Sequence, residues 1–277
     1  MLGGVCRSGA AMNRFSVNHY ICPPEMTVPA FLDAAVAAGA GAAGVSARAV
    51  AETGAGALRA MLDERGLAVS SVNSAGYFAA REGALVDDHD RRMVEAAAVL
   101  DAGALCVIAG GRGAERSIAQ AQARVRDGLE ALAEIACPAG VRLGVEPIHP
   151  VDTMSKGCVN SIGDALALID GIAGVGLILD VNHSWWDPAL PRICRGHGDR
   201  VALVQLCNVI EPEPSRPRRE FLSRGLVDLA ALVAGFEADG YAGFYEFEIF
   251  PPDLRGRPVE EAFEDAARFM RERAAVS

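Results

Sequence analysis

Lysine is almost missing from this chain. Lys156 is the only one among 26 basic residues, and the remainder are arginine. Together with heavy Ala and Gly usage, this reads as a coding bias rather than as chemistry. Positive charge is short overall. The net charge of -10 argues against nucleic acid and anionic membrane as partners and suits a soluble cytoplasmic enzyme. Paired cysteines are missing too. The seven cysteines are odd in number, none forms a C-x-x-C pair, and several lie in apolar runs, so reduced thiols are expected. No apolar run approaches the ~18 residues of a membrane span. Residues 1–13 carry no signal-peptide h-region and read as a loose extension, with Met12 as a candidate start. No internal sequence repeat, low-complexity segment or domain boundary is visible.

What the chain does have is alternation. Short apolar runs are expected to form strands at 14–20, 44–46, 67–73, 104–109, 141–145, 175–179, 201–206 and 243–247. Helical patterns lie between them, with Thr27 and Ser161 as caps and Pro29 in a first turn. Eight such units in 277 residues imply a parallel sheet with right-handed crossovers. The fold expected for residues 14–277 is one α/β domain, a single (β/α)8 TIM barrel.

Four strands end on an oxygen-bearing side chain. Leu143-Gly144-Val145 runs into Glu146, and Gly176-Leu177-Ile178-Leu179 into Asp180. Val201-Ala202-Leu203-Val204 runs into Gln205, and Gly243-Phe244-Tyr245 into Glu246-Phe247-Glu248. Pro147 cannot donate to a sheet ladder, so the fifth strand stops near Glu146. If these strand ends face inward, Glu146, Asp180, Gln205 and Glu248 converge above the barrel. Carboxylates so close raise each other's pKa values, and a divalent cation removes that cost. Oxygen donors favour Mn2+ or Mg2+ over zinc.

His149 and His183 each stand three residues past a proposed ligand, where an imidazole can act as a base or hold a sugar oxygen. Trp185 and Trp186 can wall a sugar pocket, one of them packing only against the barrel. His19 is a further substrate-binding candidate; His89 and His197 read as surface. The glycine-rich stretch Gly110-Gly111-Arg112-Gly113 reads as a tight turn. Of the basic loop Arg216, Arg218, Arg219 and Arg224, Arg219 is the substrate-binding candidate and the rest read as solvated.

The segments Gly-Val-Glu-Pro-Ile-His-Pro, Cys-Val-Asn-Ser, Leu-Asp-Val-Asn-His-Ser-Trp-Trp-Asp-Pro and Tyr-Glu-Phe-Glu-Ile-Phe resemble the sugar phosphate isomerase/epimerase family, which are xylose-isomerase-like TIM barrels. The resemblance is strong from about Cys137 to Pro252. It implies one divalent ion, Mn2+ first and Mg2+, Co2+ or Zn2+ as alternatives, held by Glu146, Asp180, Gln205 and Glu248. It implies that His183 touches a small carbohydrate substrate, and that Glu146 and Glu248 serve as acid and base in isomerisation or epimerisation of a keto sugar. Most members carry His at the position of Gln205 and Asp at that of Asn208. Gln is a ligand in the related dehydroshikimate dehydratases. The His149 and Trp-Trp-Asp-Pro pattern also resembles C-glycoside deglycosidase catalytic subunits, lyases in which His149 would be the base. A homo-oligomer or a small accessory subunit is compatible with either reading. A non-catalytic carbohydrate-binding barrel has no need of an inward Glu248. A nuclease on this fold needs more His ligands and a basic face.

Overall fold

The computed structural model describes residues 13–113, 117–196, 198–211 and 217–274. The expected extension, apart from Asn13, lies outside the described residues, as do Met12, His197 and Arg216.

The chain builds its ring in sequence order. The first seven strands are β1 (Phe15–Asn18), β2 (Ala42–Ser46), β3 (Ala68–Gly76), β4 (Ala104–Ile108), β5 (Leu143–Glu146), β6 (Val175–Asp180) and β7 (Val201–Leu206). An antiparallel hairpin, β8 (Asn208–Ile210) and β9 (Arg218–Glu220), stands apart from the ring. β10 (Tyr245–Phe247) then pairs in parallel with both β7 and β1 and closes the barrel. The helices between strands are α1 (Val28–Ala37), α2 (Ala47–Thr53), α3 (Ala55–Glu64), α4 (Asp88–Val99), α5 (Ile118–Ala136), α6 (Ile162–Ile169), α7 (Val181–Ser184), α8 (Leu190–Ile193) and α9 (Leu229–Ala238), with α10 (Pro251–Leu254) and α11 (Val259–Ala274) after β10. The eight-stranded parallel barrel expected from the alternation is the fold.

Local chemistry sets the helix starts. Thr27 accepts from the Ala30 amide with Pro29 behind it, and Ser161 accepts from the Asp164 amide. Ser117 and Gln120 form a reciprocal capping box at α5. That helix buries Ala121, Val125, Leu129, Leu132 and Ala136 on one stripe against the barrel. Each fully buried leucine there contributes about 1.5–3 kcal/mol.

The barrel interior is part apolar, with Cys106, Ile108, Ile178 and Leu203 packed together and Phe244 against them. It is also part polar, with Ser16, Asn18, Ser70, Ser71, Gln205 and Glu246 all buried. The register between β2 and β3 shifts at Ala43/Gly44, so Ser70 is an extra residue opposite Gly44. This bulge lets two consecutive hydroxyls, Ser70 and Ser71, reach the same carboxylate, that of Glu246.

Several elements depart from the sequence reading. β3 runs three residues past Asn73, and α2 and α7 are additional short helices. The largest departure is the β8–β9 hairpin, within a stretch that reads as polar loop. Arg219 and Glu220 are each only 5% exposed. They are buried by ion pairing: Glu220 meets Arg255 and Arg257, each at 2.9 Å, and Arg219 meets Asp180. No apolar alternation announces such a strand. His89 corrects another reading. It is half-buried, and its Nε2 lies 2.9 Å from the Ser74 carbonyl. Gly110 is not in the tight turn expected of it but bridges in parallel to Gly157. It has positive φ, and a Cβ there would press on the backbone of Tyr77.

Candidate active site

The C-terminal strand ends deliver the four expected oxygen donors to one rim. Glu146 and Asp180 are the last residues of β5 and β6, Gln205 is next to last in β7, and Glu248 follows β10. Register locks their heights, because Gln205 is level with Asp180 on one side and with Glu246 on the other. All four are buried: Asp180 is 0% exposed, Gln205 1%, and Glu146 and Glu248 4% each. Carboxylates this deep require partners.

Arg219 supplies one. Its guanidinium spans both oxygens of Asp180, with Nη1 at 3.0 Å from Oδ1 and Nη2 on Oδ2. Nη2 also lies 3.5 Å from Glu248 Oε2, and Nη1 donates to the Glu248 carbonyl at 3.2 Å. The face of Phe250 covers the guanidinium, 5.1 Å from the ring centroid. Arg218 and Arg224 are exposed, as expected.

His183 sits under the same rim. The backbone N–H of His149 lies 3.2 Å from its Nδ1, and the Lys156 ammonium lies 3.0 Å from its Nε2. Nε2 is also 3.5 Å from Glu146 Oε1 and 3.8 Å from Asp180 Oδ2. Burial holds the His183 pKa well below the ordinary 6.5, against the pull of Asp180. The ring is therefore neutral. Glu146, Asp180 and His183 offer ligand atoms within 4.8 Å of one another, a group able to hold a metal ion.

Lys156 comes to this rim from the loop after β5. Its Nζ is 3.0 Å from His183 Nε2 and 4.0 Å from Glu146 Oε1. The chain's single lysine thus stands at the site, a place the sequence reading did not assign to it. Sequence reasoning also missed Tyr20, Cys106 and Glu246. Cys106 Sγ donates to Glu146 Oε2 at 3.4 Å. Burial raises the Tyr20 hydroxyl far above its ordinary 10, and Cys106 and Glu248 add to the rise.

The carboxylates differ in their electrostatics. Burial pushes Glu146 and Glu248 up, Glu248 strongly, with Asp180 adding to both against Lys156 at Glu146 and Arg219 at both. Burial works on Asp180 too, but Arg219 overrides it and holds that carboxyl below its ordinary 3.8. Two acceptor oxygens of the set, Glu146 Oε1 and Gln205 Oε1, are buried without any hydrogen bond.

The other expected residues spread outward. His149 lines the mouth above, a cleft of about 470 Å³ shared with Lys156, His183, Arg219 and Phe250. Its Nδ1 accepts from the Val151 amide at 3.2 Å, and Trp186 lies edge-on at 5.8 Å. Trp186 donates to the His183 carbonyl at 2.9 Å, while Trp185 packs against the barrel core. His19 stands apart from the cluster, bonded to Ser46 Oγ at 2.7 Å and edge-on to Phe31. No helix among the described residues is long and apolar enough to cross a membrane.

Known structures share this architecture. Protein SMc04130 from Sinorhizobium meliloti 1021 superposes with a TM-score of 0.84 at 27% identity, covering 94% of this chain and 98% of that one. The IOLI protein with a bound zinc atom gives 0.78 at 16% identity, over 95% and 98%. The 3-keto-D-glucoside 4-epimerase YcjR from E. coli gives 0.76 at 18%, over 94% and 99%. No curated protein matches the chain. Residues 32–273 match the family model described as the xylose isomerase-like TIM barrel, and the chain belongs to that family.

Proposed function

We infer that this protein is a divalent-metal-dependent carbohydrate isomerase or epimerase, moving a proton next to the carbonyl of a keto sugar. One observation carries the reading: the charge at the rim does not balance. Glu146, Asp180 and Glu248 are buried carboxylates facing two cations, Arg219 and Lys156, and one layer down Glu246 is a fourth buried carboxylate met only by neutral donors. One divalent ion would bring the set to neutrality. The orphaned oxygens of Glu146 and Gln205 fit such an ion, because each is a buried acceptor lacking a donor. The donor set is all oxygen, which suits Mn2+ or Mg2+.

Glu146, Asp180, Gln205 and Glu248 would hold the ion. When bound, it supplies Lewis-acid polarisation of a carbonyl. The remaining work falls to side chains. Lys156 Nζ, beside His183 Nε2 and Glu146, is a donor placed to hold a sugar oxygen and to stabilise charge that develops on it. Glu146 and Glu248 are the groups that would take and return the proton. Phe250 lines the mouth, where its ring edge can pack against a sugar.

YcjR, whose name gives a 3-keto sugar epimerisation, supports this class of chemistry. The elimination reading depends on His149 as base. In the present arrangement its Nδ1 lone pair is taken by the Val151 N–H, which leaves a protonated Nε2 in the neutral ring. That favours the glutamates for the proton work.

The test is metal analysis of the purified protein, then incubation with a panel of keto sugars and 3-keto-glucosides in deuterated water. Mn2+-dependent deuterium incorporation next to the carbonyl, abolished in Glu146→Gln and Glu248→Gln, is expected. Sugar turnover undiminished in EDTA, or in both variants, would overturn the reading.

A further inference from the structure

Among the polar residues of the barrel interior lies a carboxylate below the reacting level. Glu246 is 0% exposed, and four donors meet it. Asn18 Nδ2 at 2.7 Å and Gln205 Nε2 at 2.9 Å reach Oε1; Ser70 Oγ at 2.5 Å and Ser71 Oγ at 2.7 Å reach Oε2. A carboxylate accepts from all four, and the two amide donors, Asn18 and Gln205, require an acceptor oxygen at Oε1. The surroundings are shaped for it. The β3 bulge brings both serines to it, and a Cβ on Gly44 would overlap its oxygens. Filling the barrel does not call for such a group, since Ile178, Leu203 and Phe244 pack together nearby through apolar side chains.

Of the four donors, only Gln205 belongs to the proposed ligand set. A glutamine amide has two ends of similar shape and opposite function. With Nε2 held by Glu246, Oε1 is the end left over, and it has no hydrogen bond. An NH2 that donates to a carboxylate also shifts electron density onto its amide oxygen.

We propose that Glu246 is a positioning residue for the metal centre: it fixes the Gln205 amide so that Oε1 is offered to the cation, and it strengthens that neutral oxygen as a donor to a hard divalent ion. The inference rests on the metal reading above. It gives the site the kind of outer hydrogen bond that orients metal ligands generally, usually worth 10–100-fold in affinity.

The test is Mn2+ titration of EDTA-stripped protein by calorimetry, with circular dichroism to check the fold. Glu246→Gln is expected to bind Mn2+ about 10–100-fold more weakly than wild type. Gln205→Glu adds a charged ligand, yet it is expected to bring no gain, because its carboxylate faces that of Glu246. The double variant Gln205→Glu/Glu246→Gln swaps donor and acceptor and is expected to recover most of the lost affinity. A merely structural Glu246 gives no such rescue. Should Glu246→Gln fail to fold, Gln205→Glu and the double variant decide the matter. Wild-type affinity in a folded Glu246→Gln, or tightened binding in Gln205→Glu alone, overturns the proposal and leaves the metal reading standing. A wild type that binds no Mn2+ overturns both.

Discussion

Replacing Arg219 by methionine would remove the cation that joins Asp180 to Glu248 while keeping much of the apolar stem. Asp180 is fully buried, and the bond to the Asn182 amide at 2.8 Å would be its main remaining partner. His183 Nε2, at 3.8 Å, is too far to replace the guanidinium. Removing one partner of a buried ion pair costs about 3–5 kcal/mol, much of it the charge left behind. For a domain near this size each kcal/mol moves the melting temperature by about 2–4 °C, so a drop of roughly 6–20 °C is expected in EDTA. Saturating Mn2+ should narrow the gap, because the ion would compensate the same carboxylates and bind only the folded chain. The assay is thermal unfolding of wild type and Arg219→Met at pH 7.5, with EDTA and with Mn2+. A variant melting within about 2 °C of wild type in EDTA would refute the claim that the pair holds the rim together. An equal deficit in Mn2+ would refute the claim that cation and guanidinium share the carboxylates.

Glu248 and Glu146 should make the metal-free protein lose stability as pH rises above the ordinary carboxylate value near 4.5. Burial raises both, Glu248 strongly, so above that value the folded state keeps protons that the unfolded chain has released. Asp180, held low, acts in the opposite sense and only below its ordinary 3.8. Melting curves across pH in EDTA check this: Glu248→Gln should lose less stability with rising pH than wild type, and identical slopes contradict it. His19 acts at the acid side, where burial first and then Arg48 lower its pKa to about 4. The unfolded chain then binds more protons between 6.5 and 4, so stability is lost as pH falls through that window, and His19→Gln should soften the loss. Lys156→Gln should lower turnover about 10²-fold or more while metal content stays at the wild-type level, since Lys156 faces substrate rather than ion; an unchanged rate removes it from the site. His149→Ala should retain the metal and still exchange the proton next to the carbonyl with solvent deuterium. A loss of that exchange, on the about 10²-fold scale of a missing general base, would bring back the elimination reading.

The rim was legible where a strand ends on a residue that a strand interior does not want. Glu146 before Pro147, Asp180 after four apolar residues and Glu248 after Tyr245-Glu246-Phe247 each combine a local stop with inward alternation, and both signals lie within a few residues. Arg219 was half legible. Its neighbours Arg218 and Arg224 are exposed, and a charge run gives no sign of which member an ion pair will bury. Glu246 could not be recognised at all. Alternation places it inward with Glu248, but what makes a buried carboxylate tolerable is its donors, and these lie 41 to 228 residues away in sequence. Two of them reach it only because β3 carries a bulge, a feature that a run such as Val69-Ser70-Ser71-Val72 does not declare. The substitution at Gln205 is informative for the same reason. Alone it looks like a weakened ligand, a neutral amide where the family resemblance leads one to expect imidazole. Beside Glu246 it becomes half of a pair, in which the carboxylate both orients and polarises the amide. What a strand-end residue can do is thus set partly by the residue level with it on the next strand, and that pairing exists only once the ring has closed.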